Sequence, residues 1–175
     1  LDHIENDVNK LLARATELKR PVREEEVDLQ TLLSSMLGSV NVQHPDINLE
    51  HDISLGAVYV LANYFQLSSA IWNLMANAVE SMPANGVLRV RAKVIESMVG
   101  NKRADIEIED SGVGIPSERM PDLFKLFHST KGPGRGYGLW RSKNYIEEIG
   151  GEIQIVSQTG VGTTVKVVLP VRQKV

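Results

Sequence analysis

Two carboxamides, one carboxylate and two clusters of glycine are the residues of this sequence whose types and spacing could do chemistry. Asn73 and Asn77 stand four residues apart within an apolar-periodic stretch, so a helix would carry them on one face. An asparagine oxygen suits Mg²⁺, a hard cation that takes oxygen ligands and phosphates together. Taken alone, the pair also fits two helix amides bonded to backbone or water. Asp110 ends the alternating run of Ile106 and Ile108 and opens a turn containing Gly112, Gly114 and Pro116. A carboxylate buried there would select an exocyclic amine, because a mismatched partner leaves it unpaired. A turn-initiating aspartate is the plainer alternative. Gly132, Gly134, Gly136 and Gly138 lead directly into the apolar-periodic run that starts at Leu139. Glycines before a helix N-terminus let the backbone approach a ligand and leave N–H groups for an anion. Lys131 precedes that cluster and could pair a terminal phosphate, or be a solvated surface lysine. Together these features suggest the two ends of a nucleotide.

Composition bounds the possibilities. The chain has 175 residues, 42% hydrophobic and 23% charged, enough for one domain with a core and a short appendage. Its formal net charge of −3 gives no electrostatic reason to expect nucleic acid as a partner. No cysteine is present, which excludes disulfides and thiolate chemistry and fits a cytosolic setting. The longest apolar stretch, 56–65, is interrupted by Asn63 and is too short for a membrane span. The sequence starts at Leu1 without a signal-peptide pattern and reads as a piece of something longer, so an anchor elsewhere in the parent stays open. The histidines at 3, 44, 51 and 128 have no metal-like spacing.

Several elements must position these groups. Leu1, Ile4, Val8, Leu11, Leu12, Ala15 and Leu18 recur at helical steps until Pro21, a stripe that suits either a bundle partner or docking on the chain's own domain. The expected division is therefore a helical segment over 1–22 and a domain over 23–175. Asp28 caps a second helix with Leu29, Leu32, Leu33, Met36 and Leu37 inward, ending near Gly38. A strand follows Pro45-Asp46, and a helix over about 64–82 carries the asparagines. Strands are expected over 87–95, 104–109, 153–156 and 163–169, with a helix over 137–149 stopped by Gly150-Gly151. Phe124 and Phe127 pack the segment after the first glycine turn. Strands joined by short connections, with helices to cover one face, predict an α/β two-layer sandwich. Rossmann and Walker A signatures are absent.

The motifs NLMANAVESM (73–82), DSGVGIP (110–116), FKLFHSTK (124–131), GRGYGL (134–139) and GVGTT (160–164), in that order, resemble the five nucleotide-site boxes of sensor histidine kinases. These belong to the superfamily that includes gyrase, the mismatch-repair ATPase and the ninety-kilodalton heat-shock chaperone. The resemblance covers about residues 25–170, and the ending Ala78-Val79-Glu80-Ser81-Met82 and the short lid look most like the nitrogen-regulation type. It implies a Bergerat-type fold, a mixed sheet covered by helices on one face, that binds ATP with Mg²⁺.

The resemblance maps Asn77 to the magnesium ligand and Asp110 to the adenine amine. Gly112, Gly114, Ile115 and Thr163 would lie at the adenine end, and Lys131, Gly134, Gly136, Tyr137, Gly138 and Leu139 at the phosphates. Asn73 stands where hydrolytic relatives carry a water-activating glutamate, a role an amide cannot fill. That implies phosphoryl transfer to a histidine, with Asn73 and Lys131 assisting catalysis. Val165 replaces the family's usual phenylalanine, and His128-Ser129 replace the usual lid residues. His3 lacks the residues that follow a phosphoacceptor histidine, so the acceptor is expected on a dimerisation domain outside this chain. The implied setting is a cytoplasmic domain of a homodimeric parent that passes phosphate to a response-regulator receiver domain. A serine kinase of the same superfamily, or a module that only senses nucleotide, are the alternatives.

Overall fold

The computed structural model describes residues 23–96, 100–125 and 137–172. Asp28 closes a short strand, β1 (Glu25–Asp28), and its side chain accepts a hydrogen bond from the Thr31 N–H at 3.0 Å. It thereby caps the first helix, α1 (Leu29–Gln43), as its residue type dictates. Gly38 does not end this helix. Continuing for another turn and a half brings Val40 into the core at 2% exposure, and burying a valine outweighs the ~1 kcal/mol that an exposed helical glycine costs. The turn at Pro45 then leads to β2 (Asn48–Ser54).

Tyr59–Ala62 forms a further strand, β3, antiparallel to β1 with Val27 opposite Val60. This two-stranded sheet is absent from the sequence expectation, because residues 58–62 are uniformly apolar and show no alternation. Helix α2 (Tyr64–Ser81) follows, capped by the Asn63 side chain on the Gln66 N–H. Leu67, Ala70, Ile71, Leu74, Met75 and Ala78 are its buried stripe. Strands β4 (Val87–Glu96) and β5 (Lys102–Asp110) form a hairpin, and α3 (Tyr137–Glu148) precedes the hairpin of β6 (Glu152–Gln158) and β7 (Gly162–Pro170).

Five strands make one mixed sheet in the order β2-β4-β5-β7-β6, in which β2 and β4 are parallel and every other pair is antiparallel. Leu88, Val90, Ala92, Ile106, Ile108, Val167 and Leu169 form a buried face packed with the apolar faces of the helices. The opposite face carries rows of alternating charge. Arg89 pairs with Glu50 at 2.6 Å and with Glu109 at 2.8 Å, Arg91 with Glu107 and Glu109, and Lys166 with Asp105 at 2.9 Å. The arginine pairs are solvent-exposed and screened, so each adds little to stability, whereas Asp105 in the last pair is buried at 6% exposure. Arg89 lies directly across from Glu50 and Glu109, and Arg91 from Glu107, while Arg91–Glu109 and Lys166–Asp105 are diagonal; together they favour one register over its neighbours. The result is the expected two-layer α/β sandwich. Among the described residues no helix is long and apolar enough to cross a membrane. The expected helix over 1–22, together with Phe127, His128, Lys131, Gly134 and Gly136, lies outside the described residues.

Candidate functional site

Helix α2 supplies one wall of the site. Asn73, Asn77 and Ser81 recur every four residues along it, so they line one face over about 12 Å of helix axis. The sheet supplies the other wall, because β5 ends at Asp110, opposite Leu88 on β4 and Thr163 on β7.

Asp110 is 6% exposed, and three donors converge on its Oδ1. These are the Gly112 N–H at 2.8 Å, the Ser81 hydroxyl at 3.0 Å, whose one proton is shared with the Ala78 carbonyl at 2.8 Å, and the Thr163 N–H at 3.3 Å. None of them uses Oδ2. Burial pushes the carboxyl above its ordinary range, against the pull of the Gly112, Ser81 and Thr163 hydrogen bonds. The close packing around it requires glycine. A Cβ on Gly112 would lie 2.1 Å from the Ser81 hydroxyl and 2.7 Å from Asp110 Oδ1. Gly114 has φ +67°, and a Cβ there would meet the Gln158 carbonyl at 2.1 Å.

Thr163 and Ile115 are joined to this end through Ser157. The Ser157 hydroxyl receives the Ile115 N–H at 2.8 Å and lies 2.8 Å from Thr163 Oγ1. Sequence reasoning placed Ser81 and Gly162 inside quoted motifs without giving either a role, and missed Ser157; the Gly162 Cα packs against the Asp110 carbonyl. The four-residue repeat of Asn73, Asn77 and Ser81 was a usable signal for the first of these. Nothing local marks Ser157.

The other end of the α2 face lies against α3. Asn73 is half-buried, and its Nδ2 donates to the Ser142 hydroxyl at 3.2 Å. Gly138 sits so close that a Cβ would fall 2.3 Å from Asn73 Oδ1. Asn77 is exposed between the two ends. Leu139 is half-buried against the core, and the Tyr137 ring lies 5.5 Å from that of Trp140. Phe124 packs as expected, with the Lys143 ammonium 4.7 Å from its ring centroid. Of the two glycine-flanked ends, the structure thus brings Asp110, Gly112, Gly114, Ile115 and Thr163 together at one. It brings Asn73 and Gly138 together at the other. No cluster of His, Asp or Glu fit to hold a metal occurs among the described residues.

Comparison with known proteins bears on this geometry. The model of the family described as "Histidine kinase-, DNA gyrase B-, and HSP90-like ATPase" matches residues 62–173. The chain is 33% identical over 168 residues to the sensor histidine kinase ZraS of Escherichia coli (strain K12), a match that covers 94% of this chain. It spans 35% of that protein's length. Sporulation kinase E of Bacillus subtilis (strain 168) is 34% identical over 146 residues, covering 83% of this chain and 19% of that protein. Among solved structures, the mycobacterial sensor histidine kinase MprB superposes with a TM-score of 0.74 at 27% identity, covering 86% of this chain and 99% of that one. With well over half its length matched and the same sandwich in three dimensions, the chain belongs to the histidine kinase-, DNA gyrase B- and HSP90-like ATPase family, as a catalytic, ATP-binding domain of the sensor histidine kinase kind.

Proposed function

We propose that this domain binds Mg-ATP along the α2 face and transfers the γ-phosphoryl group to a histidine on a dimerisation domain outside this chain. One observation carries the reading: a buried carboxylate whose Oδ1 is held by three donors while none of them takes Oδ2. Oδ2 is then the acceptor for the adenine amine. Guanine offers a carbonyl at that place, and two opposed acceptors are penalised, so the site selects ATP over GTP. Gly112 and Gly114 keep the loop close enough for the base to lie against it, with Ile115 and Thr163 beside it.

At the far end, the exposed Asn77 carboxamide is the ligand for Mg²⁺, and Asn73 lies one turn away on the same face. Bound there, the cation neutralises the charge on the phosphates. Tyr137, Gly138 and Leu139 open α3, whose N-terminus favours an anion, and Lys131, Gly134 and Gly136 complete the phosphate cradle. Because residue 73 is an amide, this wall supplies no general base for water. The domain positions the nucleotide and the incoming imidazole attacks. The wider setting follows from the same reading: residues 1–22 as a helical lead-in from the dimerisation domain, residues 23–175 as the catalytic domain, a homodimeric parent and a receiver domain as the next phosphate carrier. The cytoplasm, where ATP is available, is its place. The nitrogen-regulation-like subtype rests on the 78–82 ending and the short lid of the sequence.

The experiment is a calorimetric titration of the chain with ATP, with GTP, and with ATP in the absence of Mg²⁺. Magnesium-dependent binding of ATP and no binding of GTP is the expected result. Equal affinity for ATP and GTP overturns the Asp110 assignment, and equal affinity with and without the cation overturns that of Asn77.

A further inference from the structure

Ser142 is 2% exposed, on the face of α3 that packs on α2. Its hydroxyl oxygen lies 2.9 Å from the Gly138 carbonyl and 3.2 Å from the Ala70 carbonyl, and receives Asn73 Nδ2 at 3.2 Å. A hydroxyl has one proton. Here two carbonyls, which can only accept, compete for it, so the lone pairs are what Ser142 shows to Asn73. An amide nitrogen fits that partner and an amide oxygen does not. The Asn73 carboxamide therefore has one favoured orientation, with Oδ1 turned to Gly138 at the start of α3. Only a glycine leaves room there, since a Cβ would be 2.3 Å from that oxygen.

The orientation matters chemically. An amide oxygen facing phosphate oxygens is two acceptors opposed, and repels. Facing a cation, or water bound to a cation, the same oxygen attracts. Reversed, with the NH₂ group toward the start of α3, the amide would favour bare phosphate instead. We infer that Ser142 is a positioning residue that locks the Asn73 amide with its oxygen toward the start of α3 and so makes the phosphate end prefer cation-bound over bare nucleotide. This rests on the ATP reading above for its consequence, but the orientation itself stands on the hydrogen bonds alone.

The test compares the wild-type chain with Ser142→Ala in two measurements. In ¹⁵N-resolved NMR, the Asn73 side-chain NH₂ pair is assigned by its disappearance in Asn73→Asp. The wild type is expected to show it protected from exchange with water, and Ser142→Ala to show it exchanging at least tenfold faster. In calorimetry, Ser142→Ala is expected to bind ATP with Mg²⁺ roughly threefold to tenfold more weakly, the scale of one lost neutral hydrogen bond. Its affinity for ATP without Mg²⁺ is expected to be unchanged or higher. Unaltered Asn73 exchange in Ser142→Ala overturns the inference. So does an equal loss of affinity in both nucleotide conditions, which is what general damage to the α2–α3 interface produces. If the wild type binds no ATP, the functional reading fails, and the NMR comparison still decides whether Ser142 sets the amide.

Discussion

Asp110→Asn separates recognition from folding because the replacement has nearly the same shape. The variant keeps a carbonyl oxygen for the donors from Ser81, Gly112 and Thr163, so the turn at the end of β5 stays bonded. What changes is the second position, where an NH₂ group replaces Oδ2 and would point a donor at the adenine amine. A hydrogen bond to a charged acceptor contributes about 1.5–3 kcal/mol, which corresponds to a roughly 10- to 100-fold loss of ATP affinity. Stability moves the other way. Burial raises the Asp110 carboxyl above its ordinary value of 3.8, so its contribution to stability is fully present below 3.8 and is lost as pH rises through the higher folded-state value. The asparagine does not titrate. The melting temperature of the variant minus that of the wild type should therefore become more positive from pH 3.8 towards 7. Calorimetric titration reads the first effect and thermal melts at several pH values read the second. Unchanged ATP affinity refutes the adenine assignment. A melting difference that grows more negative with rising pH refutes the burial argument.

Other substitutions address the remaining parts of the site. Asn77→Ala removes an exposed side chain, so its folding free energy should stay within about 0.5 kcal/mol of wild type while ATP affinity loses its dependence on Mg²⁺; a retained dependence in the titration counts against the ligand role. Gly114→Ala forces a Cβ onto φ +67° and into the Gln158 carbonyl, and urea unfolding should show a loss of about 2 kcal/mol or more, whereas a loss under 0.5 would contradict the close approach. Tyr145 is buried, and its hydroxyl meets the Asn63 N–H at 2.7 Å and the Asn63 carbonyl at 3.2 Å. Tyr145→Phe should cost about 1–2 kcal/mol in the same assay, and an unchanged midpoint would mean that water replaces the phenol at the start of α2.

What could be read from sequence divides along local and non-local lines. The stripe from Leu67 to Ala78 announced α2, the alternation through Ile106 and Ile108 announced β5, and the layered α/β class followed from their order. Asp28 declared itself as a cap because capping is satisfied within three residues. Strand β3 was hidden because its hydrogen-bond partner, β1, lies more than thirty residues away and nothing in Tyr59–Ala62 alternates. The same reason hid Ser142 and Ser157, whose importance lies in what the fold sets beside them. Gly138 illustrates the reverse case. Its place in a glycine string suggests a phosphate contact, and the structure adds a packing reason, the Asn73 amide against its Cα.

The position of Asp110 in the sheet has a consequence for the order in which the molecule assembles. Its partner across β4, Leu88, is 22 residues earlier, within a hairpin. Its partner across β7, Thr163, is 53 residues later and arrives on a separate hairpin. Closing the shorter loop is entropically easier, so β4–β5 pairing is expected to precede β5–β7 pairing, leaving Asp110 with one flank bare for part of folding. The Asp110 end of the site is thus expected to form late in the folding reaction. A ligand held there clamps the junction between the two hairpins, and amide exchange should slow most in β7, the last strand to join, rather than in β4, where the chain first folds on itself.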